Sequence, residues 1–141
     1  MTFMEAVKSC LNKYATFRGR ASRSEFWYFW LFTFVVMIVA TIIDGILGTG
    51  FKMTDPTTGV EANVGYGYVY LIAMLGLILP SLAAAVRRLH DTGRSGWWLF
   101  IALIPLVGAI LLLVWYCTKG TTGDNEYGPD PLGGDLTAAF A

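Results

Sequence analysis

Three long apolar runs without a charge constrain this chain more than any other feature. Phe26 to Ile43 (FWYFWLFTFVVMIVATII) continues past Asp44 to about Leu47. Val69 to Val86 (VYLIAMLGLILPSLAAAV) can start near Tyr66, and Trp97 to Cys117 (WWLFIALIPLVGAILLLVWYC) is the third. A helix needs roughly 20 apolar residues to cross the hydrocarbon core of a bilayer. Lipid offers no partners for open backbone N–H and C=O groups, so each run is expected to be helical. Only 14% of the 141 residues are charged, against about a quarter in soluble domains. The expected fold class is therefore all-α: an integral membrane protein with three transmembrane helices, at about 24–47, 66–88 and 96–117. A short amphipathic helix over 3–17 precedes them, a flexible outer tail over 118–141 follows, and 1–141 forms a single membrane domain.

The charges give a direction. Lys8, Lys13, Arg18, Arg20 and Arg23 precede the first run, and Arg87, Arg88 and Arg94 separate the second from the third. Only Lys52 and Lys119 lie in the remaining connections. The positive-inside rule places the N-terminus and the Arg87–Gly96 segment in the cytoplasm, and the 48–65 loop and the C-terminus outside. Trp27, Trp30, Trp97, Trp98, Trp115 and Tyr116 sit at the ends of runs, where aromatic residues anchor helices at the interface. On this topology Cys10 and Cys117 are about 30 Å apart across the core, too far to bond. The polar first 25 residues do not resemble a cleavable signal peptide.

Outside the runs, Phe3, Met4, Val7, Leu11, Tyr14 and Phe17 recur at helical spacing. This predicts an amphipathic helix lying in the inner interface, or docked on the spans as a small cap. Ser22 and Glu25 have capping-box spacing ahead of the first run, and Gly19 allows a turn between the two helices. The 48–65 loop and the tail read as irregular. Asp124, Glu126, Asp130 and Asp135 do not have the spacing of a calcium loop. Pro80 and Pro105 should each bend a helix. Asp44 is the lone acid in an apolar stretch, and its place near the outer end reads as a wetted helix terminus or as a functional intramembrane carboxylate.

The segment Arg87-Arg88-Leu89-His90-Asp91-Thr92-Gly93-Arg94-Ser95-Gly96 collects the reactive side chains, including the one histidine. Gly93-Arg94-Ser95-Gly96 has the G-x-S-G form found around the serine of rhomboid proteases, but no third catalytic residue or oxyanion donor accompanies His90. Arg87, Arg88 and Arg94 suit a phosphate or anionic headgroup. His90–Asp91 offers a pH-sensitive pair. The remaining reading is structural: arginines at a helix end, a turn at Asp91-Thr92-Gly93, and a helix start at Ser95. No nucleotide loop, zinc cluster, haem motif or carboxylate pair is present, no cofactor is implied, and no basic face is large enough for nucleic acid.

Three motifs taken together resemble a known family. They are Tyr14…Phe17-Arg18-Gly19-Arg20-Ala21-Ser22-Arg23-Ser24-Glu25-Phe26-Trp27, then the Arg87–Trp98 segment, then Gly120-Thr121…Gly123-Asp124-Asn125…Tyr127-Gly128-Pro129-Asp130-Pro131. The family is the YhaH/YhaI-like group of bacterial inner-membrane proteins, a domain of unknown function (DUF805). The likeness covers about 1–132, with Glu126 where an arginine is common and a longer outer loop. It implies a multi-pass protein of the bacterial inner membrane with no established activity. The residues themselves point to a non-catalytic interaction or accessory component. Its cytoplasmic basic face is expected to bind anionic lipid headgroups or a protein partner, a larger complex or a second copy, through Arg18, Arg20, Arg23, Glu25, Arg87, Arg88, His90, Asp91 and Arg94. The alternative is an oligomeric small transporter or channel-like protein.

Overall fold

The computed structural model describes residues 2–132. The elements run α1 (Phe3–Asn12), α2 (Arg23–Leu47), β1 (Gly50–Thr54), β2 (Glu61–Gly67), α3 (Tyr68–Asp91), a 3-10 helix (Gly96–Leu103) and α4 (Val107–Cys117). The fold is mostly helical with one small sheet. α2 and α3 are long and apolar enough to cross a membrane, each with a mean hydropathy of 2.3. Only 11% and 17% of their most apolar windows are buried. A soluble core helix would hide that surface, so lipid is its natural solvent.

Backbone contacts divide the chain into two compact units, residues 1–30 with 80–141, and residues 31–79. The second unit contains the correction to the all-α expectation. The segment expected to be an irregular loop forms an antiparallel hairpin, with Lys52 opposite Asn63, Met53 opposite Ala62 and Thr54 opposite Glu61. The turn explains it. Asp55 Oδ1 accepts from Thr57 N–H at 2.8 Å, Gly59 takes a φ of 71°, and Asp55 N–H closes on Val60 O at 2.9 Å. Asp and Gly at such positions supply local acceptors and left-handed backbone.

Asp44, in the same unit, is not wetted: it is 2% exposed. Its carboxylate accepts from Thr49 Oγ1 at 2.5 Å and from the N–H groups of Val69 and Tyr70, each at 3.0 Å. The first turn of a helix has N–H groups with no intrahelical partner, and its dipole favours an anion there. Asp44 therefore caps α3. Gly67 allows the approach, because a Cβ there would overlap the Asp44 carboxylate.

In the first unit, α1 stops at Asn12 rather than continuing to Phe17, and Lys13 leaves the helical region at φ −98°, ψ 37°. Thr2 and Glu5 form a full capping box at its start. α1 is docked as a cap, with Ala6 and Cys10 fully buried and Phe3 edge-on to Tyr28 at 6.0 Å. The polar loop between the second and third runs is shorter than expected. α3 continues through Arg87 and Arg88 to Asp91, and Gly93, with a φ of 78°, turns the chain just beyond its end. Pro80 lies within α3 without ending it.

The third run is not a single helix. Pro105 lacks an N–H and disfavours helical backbone in the residue before it. Ile104 accordingly sits at φ −85°, ψ 109°, and Leu106 at φ 67°, ψ −59°. Val107 N–H bonds Pro105 O at 2.7 Å, closing a γ-turn about Leu106. The chain then reverses. Gly108 lies so close to Ile101 O that a Cβ would overlap it. Trp98 meets Trp115 edge-on at 5.6 Å. The eight-residue 3-10 helix and the 11-residue α4 are each about 16 Å long, roughly half the hydrocarbon thickness.

Candidate functional site: a buried arginine–carboxylate cluster

The reversal brings the residues after α4 back to the end of the unit where α2 starts and α3 finishes. Arg23 donates to Cys117 O at 3.2 Å, and Trp27 Nε1 donates to Tyr116 O at 3.2 Å. The tail, expected on the far side from Arg18–Glu25, lies against it. Cys10 and Cys117, expected at opposite faces, both meet the first turn of α2, and both are free thiols. Residues 133–141, with Asp135, lie outside the described residues.

Two acids anchor the site. Glu25, in the first turn of α2, is 3% exposed. Its Oε1 accepts from Arg87 Nη1 at 2.8 Å and from Ser9 Oγ at 2.9 Å. The expected capping box is half made: Glu25 N–H donates to Ser22 Oγ at 3.3 Å, but the Glu25 carboxylate turns to Arg87. Asp91, in the last turn of α3, is 4% exposed. It accepts from Arg20 at 3.0 Å and from Arg88 Nη1 at 2.6 Å. Three guanidiniums thus face two carboxylates in a buried volume. An unpaired charge there is strongly unfavourable. Backbone carbonyls answer the excess. Arg20 Nη1 donates to Gly123 O at 2.6 Å, and its Nη2 to Thr121 O. Arg88 Nε donates to Tyr116 O at 3.1 Å, and its Nη2 to Thr118 O. Cations at a helix C-terminus are also favoured by its dipole. Arg87 Nε is buried without a hydrogen-bond partner.

The segment 118–131 is therefore part of the site. Thr121 N–H donates to Asp91 O at 2.7 Å, and a Cβ on Gly120 would overlap the Asp91 carboxylate. His90 stacks on Tyr127 with centroids 4.2 Å apart, its Nδ1 is 3.0 Å from Gly19 O, and its carbonyl accepts from Asn125 Nδ2 at 2.9 Å. Ala21 N–H bonds Arg87 O at 3.0 Å, which ties the segment entering α2 to α3.

The nine residues singled out in the sequence separate into two groups. Arg20, Glu25, Arg87, Arg88 and Asp91 are brought together and buried. The three arginines among them, expected to meet headgroups or a partner, are held by carboxylates and carbonyls where α2, α3 and the tail pack together. His90 is half-buried beside them. Arg18 and Arg23 are exposed. Arg94, half-buried, lies over Trp115 at 4.5 Å. Sequence reasoning missed Ser9, Cys10 and the tail residues Gly120, Thr121, Asn125 and Tyr127 as members. The tail's Gly-Thr…Asn…Tyr-Gly-Pro-Asp motif was the available signal.

Burial, and next the nearby Glu25 charge, push the Cys10 thiol up to about 11. It is a protonated packing group in the neutral range. Among the described residues no three His, Cys, Asp or Glu side chains are grouped to hold a metal ion. Ser95 Oγ accepts from Trp97 N–H at 3.3 Å, which fits the start of the 3-10 helix.

Over residues 14–129 the chain matches the family described as protein of unknown function (DUF805). It is 39% identical to the inner membrane protein YhaI of Escherichia coli K12 over 128 residues, covering 91% of this chain and 96% of that protein. Identity to the inner membrane protein YhaH of the same strain is also 39%, over 91% of this chain and 97% of that one. The uncharacterized protein YiiR of that strain is 29% identical over 82% of this chain and 85% of its own length. No solved structure matches the chain.

Proposed function

We propose, from the premise that this chain belongs to the DUF805 family, that it is a non-catalytic integral protein of the bacterial inner membrane. It acts as an interaction or accessory component through one polar, basic face. α2 and α3 cross the bilayer. The third apolar run enters and leaves at the same face as a re-entrant hairpin, because each limb is about half a membrane long. Nine of the ten Lys and Arg residues then lie at that face, all but Lys52. By the positive-inside rule it is cytoplasmic, and so are α1 and the tail as far as Leu132. A cysteine introduced as Asp124→Cys in a Cys117→Ser background should resist a membrane-impermeant maleimide in intact spheroplasts and react after permeabilisation. Labelling from outside would restore a three-span topology.

The single observation that supports the functional reading is the buried cluster. Arg20, Glu25, Arg87, Arg88 and Asp91 are held by one another and by backbone carbonyls and brace three segments of chain, which leaves the exposed cations of the same face to meet headgroups or a partner. The test is extraction at native expression in mild detergent, followed by identification of what remains bound. A stoichiometric phospholipid or protein is expected. A bare chain, or a turnover lost in His90→Ala, overturns the reading.

A second reading, an oligomeric channel-like or transport protein, draws on the break at Ile104–Leu106. Irregular backbone at membrane depth is tolerated where it is buried in protein or lines water. Solute flux into liposomes carrying the purified protein separates the two readings.

A further inference from the structure

A cavity of about 700 Å³ opens beside the 3-10 helix, within the size range of small-molecule sites. Its walls have a polarity gradient. At one end are Phe17, His90 and Ser95, at the other Leu82 and Leu103, with Val86 beside Gly96 between them. From Ser95 to Leu103 the 3-10 helix descends about 16 Å, and from His90 back to Leu82 α3 descends about 12 Å. The cavity therefore runs from the polar face to about the depth of one leaflet. A phospholipid has that length and that gradient.

The mouth supplies a charge. Phe17 lines the cavity, and Gly19 O is held 3.0 Å from Nδ1 of His90, which also lines it. Arg18, between the two in sequence, is exposed. Arg20, Arg87 and Arg88 are held within the buried cluster, so Arg18 is the cation left to face an incoming anion here. Ser95 lines the cavity as well, while the Arg94 guanidinium lies over Trp115, 4.5 Å from the ring centroid. Gly96 keeps the walls close, because a Cβ there would overlap Val86.

We propose that this cavity binds one acyl chain of an anionic phospholipid, with its phosphate at Arg18. This rests on the reading that the polar face meets lipid, and it names the place and the lipid class. The full-length protein in detergent, titrated with phosphatidylglycerol or phosphatidylcholine of identical chains and followed by native mass spectrometry, tests it. One phosphatidylglycerol should bind at least about fivefold more tightly than phosphatidylcholine, a difference of about 1 kcal/mol. Arg18→Gln should abolish the preference while leaving phosphatidylcholine binding unchanged. Leu82→Trp, which fills the apolar end, should remove both, with Cys10 still shielded from alkylation as a sign of an intact fold. Equal affinity for the two lipids in the wild type, or tight binding retained in Leu82→Trp, overturns the assignment. Phosphatidylglycerol binding that is selective in the wild type, unchanged in Arg18→Gln and unchanged in Leu82→Trp would place lipid elsewhere on the face. That outcome overturns this site without touching the wider reading.

Discussion

Asp44 and Asp91 are both aspartates at the end of a long apolar helix, and both are nearly inaccessible, at 2% and 4% exposure. They are stabilised in different ways. Asp44 takes its donors from nearby chain: the Thr49 hydroxyl five residues on and two N–H groups at the start of the next helix. Asp91 takes Arg88 from its own helix, but Arg20 lies 71 positions away in sequence. Asp44 is neutralised by dipoles and Asp91 by full charges, which themselves need carbonyls from the tail. A cap of neutral donors tolerates loss of the charge. A buried ion cluster does not, because removing one member leaves the others charged and dry.

The largest effect should come from Asp91→Ala, which strands Arg20 and Arg88. A loss of about 3–5 kcal/mol is expected for a broken buried pair, measured by reversible unfolding in detergent. A loss below about 1 kcal/mol, the range of a surface pair, would make the cluster solvated and erase the contrast with Asp44. Asp44→Asn should be milder than Asp91→Asn in the same assay. The amide oxygen still accepts from Val69 or Tyr70 N–H, whereas at position 91 an amide cannot neutralise two guanidiniums. Equal or reversed shifts in Tm would show that Asp44 depends on its charge after all.

The smallest effect is a pH dependence. Burial pushes the folded Cys10 thiol up to about 11, from an ordinary value of 9.0. Between those values the folded chain keeps a proton that the unfolded chain releases. The Cys10 contribution to stability is thus fully present below about 9 and is lost as pH rises through about 11. At pH 8 exposed Cys117 should alkylate while Cys10 does not. Cys10→Ser should flatten the alkaline fall in Tm, and an unchanged slope would assign that fall to other groups.

Much of the first-order organisation could be read locally. α2 and α3 followed from uninterrupted apolar runs, and α3 differs from its expected range mainly by extending to Asp91. The grouping of Arg18–Glu25 with Arg87–Asp91 followed from charge asymmetry, but the particular pairs, Glu25 with Arg87 and Asp91 with Arg20 and Arg88, are given by the structure. The third run misled because apolarity reports a preference for lipid and says nothing of direction. Pro105 was visible, but a proline can bend a crossing helix or reverse it. The γ-turn at Leu106 and the close approach of Gly108 to Ile101 decide for reversal. The hairpin was missed because β1 and β2 bury little and show no clean alternation. The tail's role was missed because its contribution is mostly backbone carbonyls, which every residue carries.

The sequence alone determined that this chain belongs in lipid, where its two long helices lie, and that its cations cluster before the first run and between the second and third, because hydropathy and charge are properties of residues. Only the tertiary structure decided that the third apolar run turns back, that the tail packs against both of those segments, and which arginines stay exposed. Those outcomes depend on which donors and acceptors meet at 3 Å across 70 or 100 positions of chain, and composition does not contain such distances.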